Sequence, residues 1–268
     1  MSEPNTATEL RYGDRTVRLK WHKLRREAAD PPFLRSNLRA GLAAGASLEV
    51  DLRRLACGRF VCLHDADLAG ETTGEGRVEE VDADAVRRLD MLGSGEPPLL
   101  LDELADAVRS WPRAPSARIQ LDLKSNAAEV DQATRGRLAS ALEGVAGHFI
   151  LSGCDWDAVS RLGDGVPGLA LGYDPMDDAG HDAHDVTQQI SNRAPHADTI
   201  YLHRGTVRAA EDRGEPLVAK LRARGQLVDC WTIDHGTAAA LEDIRIALAA
   251  GCDQITTNTP AAWAAAKL

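Results

Sequence analysis

Aromatic side chains are scarce: Phe, Trp and Tyr make up 4% of the 268 residues. No segment gathers them into the apolar apron that docking on lipid requires. No run approaches the roughly 18–20 consecutive apolar residues that span a bilayer, so stable membrane insertion is not expected. Positive charge is in deficit. The chain has 31 Lys and Arg against 41 Asp and Glu, a formal charge of −10, which argues against nucleic acid as a partner. A small anionic ligand stays compatible, because a bound cation can invert the local field of an acidic protein. CxxC pairs are absent, which excludes finger-type zinc as far as spacing can. The five cysteines, Cys57, Cys62, Cys154, Cys230 and Cys252, are odd in number and scattered, as buried free thiols in a reducing compartment are. Cys57 and Cys62 are near enough to bridge a hairpin, a pairing that such a compartment disfavours. The opening Met1–Thr6 is polar, without a basic leader or apolar core, so a cytoplasmic location is expected.

What is present suffices for a core, with 44% hydrophobic and 27% charged residues. Apolar runs bounded by turn residues recur at Val17–Trp21, Ser47–Leu52, Ile119–Lys124, Phe149–Ser152, Leu169–Gly172, Thr199–His203, Leu227–Ile233 and Gln254–Thr257, and read as strands. Helical stripes lie between most of them: Leu34, Leu38 and Leu42; Leu100, Leu104 and Val108; Leu241, Ile244 and Leu248. Gly45, Gly225 and Gly251 stand between such stripes and the next strand, where a left-handed helix stop belongs. Strand–helix units of about 33 residues, repeated through the chain, are the arithmetic of a (β/α)8 TIM barrel of the α/β class. The expected organisation is a polar N-terminal extension over 1–15 and one barrel domain over 16–268. The long gap after the second strand opens with a candidate further short strand within Arg59–His64 and continues as an insertion at about 65–98 that holds an amphipathic run over Val81–Leu89. It carries too little apolar material to be a second domain. An open doubly wound sheet is disfavoured because no GxGxxG follows the first strand, and Gly74-Glu75-Gly76 reads as a turn.

Chemistry is concentrated at two strand ends. In Ser47–Leu52, a two-residue period puts Glu49 and Asp51 on one face, where two acids repel unless a proton or cation lies between them. Alone, the pair fits a solvated strand edge equally well. A second pair, Asp122 and Lys124, repeats the arrangement on the next barrel strand and brings Asp122 toward the first two acids. Three hard oxygen donors suit one divalent cation, Mg2+ or Ca2+, better than zinc, and Lys124 adds a fixed charge for a phosphate oxygen. His22 and His64 end apolar runs close to these acids, where barrel enzymes keep catalytic groups. Two imidazoles titrating near neutrality can divide general-base and general-acid work. Lys20, two residues before His22, should point the same way and either pair with Asp122 or Glu49 or reach the phosphate.

The ordered set His22, Glu49-x-Asp51, His64-Asp65, Thr72-Thr73-Gly74-x-Gly76, Asp122-x-Lys124 and Trp231-Thr232 resembles the glycerophosphodiester phosphodiesterase family. The segments Pro97–Leu104 and Gly251–Pro260 extend the likeness, which covers roughly Val17 to Trp263. The resemblance implies a TIM-barrel, metal-dependent phosphodiesterase acting on a small-molecule phosphodiester. At the family's positions Glu49, Asp51 and Asp122 would hold Mg2+ or Ca2+, His22 and His64 would act as acid and base, and Lys124 would neutralise phosphate. A neighbouring glycerol hydroxyl would attack phosphorus, giving a cyclic phosphate that water opens.

This chain departs from the family at four places. Lys23 stands where arginine usually follows the first histidine, replacing a two-pronged grip by a point charge. The family's Pro-Glu-Asn-Thr segment gives way to Pro31–Asn37. Asp122 stands for the usual glutamate, as in the related sphingomyelinase D barrels, and Asn258 stands for the common aspartate. These changes bear on the glycerol preference, with Lys23 and Lys20 joining Lys124 as phosphate-binding candidates. Trp231 is a candidate wall for the substrate's alcohol, and His203 a candidate contact to the leaving group. Tyr173, Asp174 and the pair His181 and His184 are weaker candidates. The competing functions are a phospholipase D-like lyase that stops at the cyclic phosphate and a non-catalytic barrel that binds phosphorylated ligands. Pairing into a homo-oligomer through loops or outer helices is compatible with all three.

Overall fold

Strands covered on both faces need apolar residues at one parity, and in a barrel the other parity fills the interior. The computed structural model, which describes residues 6–175 and 183–268, follows this rule. The strands are β1 (Glu9–Tyr12), β2 (Arg15–Trp21), β3 (Ser47–Arg54), β4 (Phe60–Cys62), β5 (Arg118–Leu123), β6 (Phe149–Gly153), β7 (Ala170–Tyr173), β8 (Thr199–His203), β9 (Leu227–Trp231) and β10 (Gln254–Thr257). Parallel pairing runs β2-β10-β9-β8-β7-β6-β5-β3 and returns from β3 to β2, closing a (β/α)8 barrel. In β3, Leu48, Val50 and Leu52 are buried in the apolar layer under the helices, while Glu49 and Asp51 line the interior cavity. In β5, Ile119, Leu121 and Leu123 lie in the same apolar layer, and Gln120 and Asp122 line the cavity.

The helices are α1 (Arg35–Ala44), α2 (Ala83–Val86), α3 (Leu101–Ser110), α4 (Gln132–Leu142), α5 (Trp156–Gly163), α6 (Ala183–Arg193), α7 (Arg204–Asp212), α8 (Leu217–Ala223), α9 (Ala238–Ala250) and α10 (Pro260–Ala265). The expected stripes are their inner faces: Leu38 and Leu42 on α1, Leu104 and Val108 on α3, and Ile244 and Leu248 on α9 are buried. Gly45 ends α1 at φ 73° and Gly251 ends α9 at φ 100°, a conformation that Cβ-bearing residues enter at a cost of roughly 1–2 kcal/mol. No helix among the described residues is long and apolar enough to cross a membrane.

Several boundaries differ from expectation. The first barrel strand starts at Arg15, and residues Glu9–Tyr12, expected within a polar extension, pair antiparallel with it in the register Glu9↔Arg18. The Trp21 indole donates to the Ala7 carbonyl at 2.9 Å, tying that segment across the strand. The seventh barrel strand ends at Trp231 and not Ile233. After β3 the chain turns back as β4, pairing antiparallel with Leu52–Arg54 beyond the barrel wall. Tight turns and α2 then fill the path to α3. Cys57 and Cys62 are both free.

Candidate active site at the C-terminal ends of the strands

Register brings the acids together. Asp51 and Asp122 are direct neighbours on the parallel pair β3–β5, and Glu49 lies one pleat below. One oxygen of each of Glu49, Asp51 and Asp122 lies within 4.8 Å of the others. They stand in a cavity of about 510 Å3 that His22, Arg53, His64, Lys124, Asp174 and Trp231 also line.

Glu49 and Asp51 are 3% and 1% exposed, so their charges are set by neighbours and not by water. Burial, then the charges of Asp51 and Asp122, push the Glu49 carboxyl well above its usual range, against one hydrogen bond from the Lys23 N–H. That N–H donates to Glu49 Oε2 at 2.7 Å, aimed by a turn in which Lys23 and Leu24 both take left-handed backbone, at φ 53° and 59°. Burial would raise the Asp51 carboxyl too, but the ammonium groups of Lys124 and Lys23 outweigh it and hold Asp51 below its usual range. Lys124 Nζ lies 3.0 Å from Asp51 Oδ1 and 2.5 Å from Asp122 Oδ2, and Lys23 Nζ lies 3.6 Å from Asp51 Oδ2. Asp51 Oδ2 is buried and accepts no hydrogen bond. A buried carboxylate oxygen that accepts no hydrogen bond costs roughly 1–3 kcal/mol or more; the Lys23 ammonium at 3.6 Å offsets part of that, and a cation would satisfy the rest. Three convergent carboxylates, one with an oxygen that accepts no hydrogen bond and one pushed toward protonation by burial and by the others, fit a hard divalent ion.

His22 follows β2 directly, and its Nδ1 lies 2.9 Å from Asn258 Oδ1. The Asn258 amide is not free to turn, because its Nδ2 donates to Asp234 Oδ2 at 2.8 Å while its backbone N–H donates to Asp234 Oδ1 at 2.6 Å. Its oxygen therefore faces His22, which places the imidazole proton on Nδ1 and the lone pair on Nε2. Nε2 lies 3.8 Å from Glu49 Oε2. Burial holds the imidazole below its ordinary value, against the opposing pull of Asn258 and Asp51.

His64 sits after β4, 46% exposed, with Nδ1 2.9 Å from Asp65 Oδ1. Its backbone is clamped from both sides. The Glu71 carboxylate accepts the N–H groups of His64 and Asp65 at 2.6 and 2.9 Å, and Arg53 Nε donates to the His64 carbonyl at 2.7 Å. A Cβ at Gly70 would stand 2.2 Å from Asp65 Oδ2, so a side chain there would push the Asp65 carboxylate from its place beside His64.

Other candidates fall differently. Lys20 points into the barrel as expected but does not pair with Asp122 or Glu49. It is 1% exposed, lies 3.0 Å from Asp229 Oδ2, donates to Gln120 Oε1 and sits 4.2 Å over the Tyr201 ring. The reason is position in the barrel: Lys20 reaches Asp229 and Gln120, and Gln120 is level with Glu49 in the β3–β5 register, one pleat below Asp122. Trp231 lines the cavity, and its buried indole N–H has no hydrogen-bond partner. His203 stands behind Trp231 in an edge-to-face contact at 5.0 Å and accepts from the Gly205 N–H at the start of α7. It is thus a cap and a support for Trp231, set back from the cavity wall. Tyr173 packs against Trp156, while Asp174 lines the cavity. His181 and the side chain of His184 lie outside the described residues. Arg53, Glu71, Asp234 and Asp229 were not expected. Arg53 and Asp229 carried a local signal, sharing strand parity with Glu49 and Asp51 and with Trp231 respectively.

Comparison with known proteins agrees with the geometry. The model of the glycerophosphoryl diester phosphodiesterase family matches residues 36–262. No curated protein matches the sequence. Among solved structures, a glycerophosphodiester phosphodiesterase from Agrobacterium tumefaciens is 18% identical, with 93% of this chain and 100% of that chain covered at a TM-score of 0.67. A phosphodiesterase from Oleispira antarctica, solved in complex with the product sn-glycerol-3-phosphate, is also 18% identical, covering 91% and 94% at 0.68. A glycerophosphodiester phosphodiesterase from Thermotoga maritima is 15% identical, covering 90% and 94% at 0.64. At these identities the structural likeness is one of fold.

Proposed function

This chain belongs to the glycerophosphoryl diester phosphodiesterase family and is a phosphodiesterase, and we propose that it hydrolyses a glycerophosphodiester or related polar phosphodiester to an alcohol and a phosphomonoester. The observation that carries this reading is the convergence of the Glu49, Asp51 and Asp122 oxygens within 4.8 Å in the cavity that His22, His64 and Lys124 also line. In it the three carboxylates hold one divalent cation, Mg2+ or Ca2+, which when bound supplies positive charge against the phosphate oxygens. Lys124 and Lys23 add fixed charge beside it. His22, neutral and with its lone pair on Nε2, takes the proton from the attacking hydroxyl as that oxygen bonds to phosphorus. His64 delivers a proton to the departing alcohol oxygen as its bond to phosphorus breaks. If the attacker is the substrate's own hydroxyl, the product of this step is a cyclic phosphate, and water opens it with the two proton transfers reversed. The cavity's charged and polar lining, including Asp155, Asp174 and Asn126, suits a polar alcohol.

The test is turnover of glycerophosphocholine and bis(p-nitrophenyl) phosphate with and without EDTA. Activity should disappear on chelation and return with Mg2+ or Ca2+. Turnover indifferent to chelation overturns the metal role, and inertness toward every diester points to the non-catalytic, ligand-binding reading. Phosphorus NMR separates a final open monoester from an accumulating cyclic product, the signature of the lyase.

Glu71 gives a second test. Glu71→Ala removes the clamp on the His64 backbone without touching the carboxylate centre. Because misplacement by about 1 Å can cost 10²-fold in rate, kcat should fall by about 10–10²-fold while divalent-ion affinity stays within twofold. Steady-state kinetics beside calorimetric titration read both, and unchanged kcat would remove His64 from the reaction.

A further inference from the structure

Next to the three carboxylates lies a second group of interior polar side chains that the proton transfers do not use. Lys20 and Asp229 are 1% and 0% exposed, and a buried ion pair of this kind is a poor source of stability. Desolvation of each ion costs several kcal/mol, and well-packed apolar residues often do as well or better. What the pair supplies is direction. Asp229 is held on both oxygens, with Thr256 Oγ1 donating to Oδ1 and Gln254 Nε2 to Oδ2, each at 2.6 Å. It thereby anchors the Lys20 ammonium, which has donors only.

From Lys20 onward every hydrogen bond has one allowed sense. Lys20 Nζ donates to Gln120 Oε1, so the Gln120 amide must turn its NH2 away. Gln120 Nε2 donates to Ser152 Oγ at 2.9 Å, so the Ser152 hydroxyl must accept there and direct its single proton elsewhere. That proton goes to Asp122 Oδ1 at 3.1 Å. Lys124 holds the other Asp122 oxygen at 2.5 Å. Without the charge on Lys20 the Gln120 amide is free to flip, Ser152 would turn its proton to the Gln120 oxygen, and Asp122 would lose a donor.

Building on the metal site proposed above, we propose that Lys20 is a positioning residue for the divalent ion. Paired with Asp229, it sets the direction of the Gln120–Ser152–Asp122 hydrogen bonds and so fixes the lone pairs that Asp122 offers to the metal. The links come from four strands, β2, β9, β5 and β6, so barrel closure itself completes the chain. Partners of this kind typically change metal affinity by about 10–100-fold.

The experiment is calorimetric titration of the full chain with Mg2+ or Ca2+, whichever the wild type binds more tightly. Lys20→Met leaves Asp229 buried and unpaired, so the double variant Lys20→Met/Asp229→Asn is made beside it. Ser152→Ala cuts only the last link. Each folded variant should bind the ion about tenfold more weakly. Adding Ser152→Ala to the Lys20→Met/Asp229→Asn pair should produce no further loss, because the links act in series, whereas independent packing damage would multiply. Wild-type affinity in the folded double variant, or losses that multiply, overturns the proposal while leaving the metal site intact. A wild-type chain that binds neither ion overturns the metal site, and the role of Lys20 with it.

Discussion

His22→Ala should lower kcat by about 10²–10⁴-fold, the usual contribution of a positioned general base, while divalent-ion affinity stays close to wild type. The expectation comes from the tautomer. Asp234 pins the Asn258 amide, the Asn258 oxygen takes the Nδ1 proton, and Nε2 is left with its lone pair 3.8 Å from Glu49 Oε2. The pH dependence follows with a definite sign. Burial holds the imidazole below its ordinary value, so the neutral, proton-accepting form persists on the acid side of roughly pH 6.5, the unperturbed histidine value. A bound divalent ion acts in the same direction, since added positive charge disfavours imidazolium. The acid limb of kcat/KM should therefore lie below pH 6.5 in the wild type and vanish in His22→Ala. Near-normal turnover in the variant, or an acid limb that survives the substitution, would remove His22 as the base.

Periodicity made most of the barrel legible. Thr199–His203 and Gln254–Thr257 have the bounds expected from their apolar runs, because buried parallel strands are short and sharply bounded by turn residues. Strand parity likewise identified Glu49, Asp51 and Asp122, since each faces inward with a two-residue period. Parity names a face but not a partner, and the failures share this cause. Lys20 faces inward as expected, yet which acid it meets depends on the height of β9 against β2, a property of closure that no local pattern carries. Asn258 looked like a departure from a familiar motif, while its role depends on His22, 236 positions away. Glu71 holds His64 from a turn whose sequence is merely polar. The β1 segment was missed for a different reason: Glu9–Tyr12 is only four residues long, too short for alternation to stand out from chance.

Lys124→Met should separate two properties that a simple loss of structure would move together. The ammonium lies 3.0 Å from Asp51 Oδ1 and 2.5 Å from Asp122 Oδ2, so it occupies oxygens that a divalent ion also needs. Burial would lower its affinity for a proton, but Asp122 and Asp51 outweigh that and raise it well above the ordinary lysine value. No accessible pH relieves the competition, since the group stays charged throughout. Methionine keeps much of the length and removes the charge. The three carboxylates then keep only the Lys23 ammonium, 3.6 Å from Asp51 Oδ2, as counter-charge, and the metal-free protein should unfold at a lower temperature. A divalent ion should bind more tightly in compensation. Each tenfold gain in affinity adds about 1.4 kcal/mol of stabilisation once the ion is in excess, so the rise in Tm on adding Mg2+ or Ca2+ should exceed that of the wild type. Turnover should move the other way, because a fixed charge aimed at the transition state is worth about 10²–10³ in kcat. Tighter metal binding with slower catalysis marks Lys124 as a phosphate partner. A parallel fall in metal affinity and kcat would mark it instead as a brace for the carboxylates, and the phosphate role would then pass to Lys23, whose Nζ lies 3.6 Å from Asp51 Oδ2.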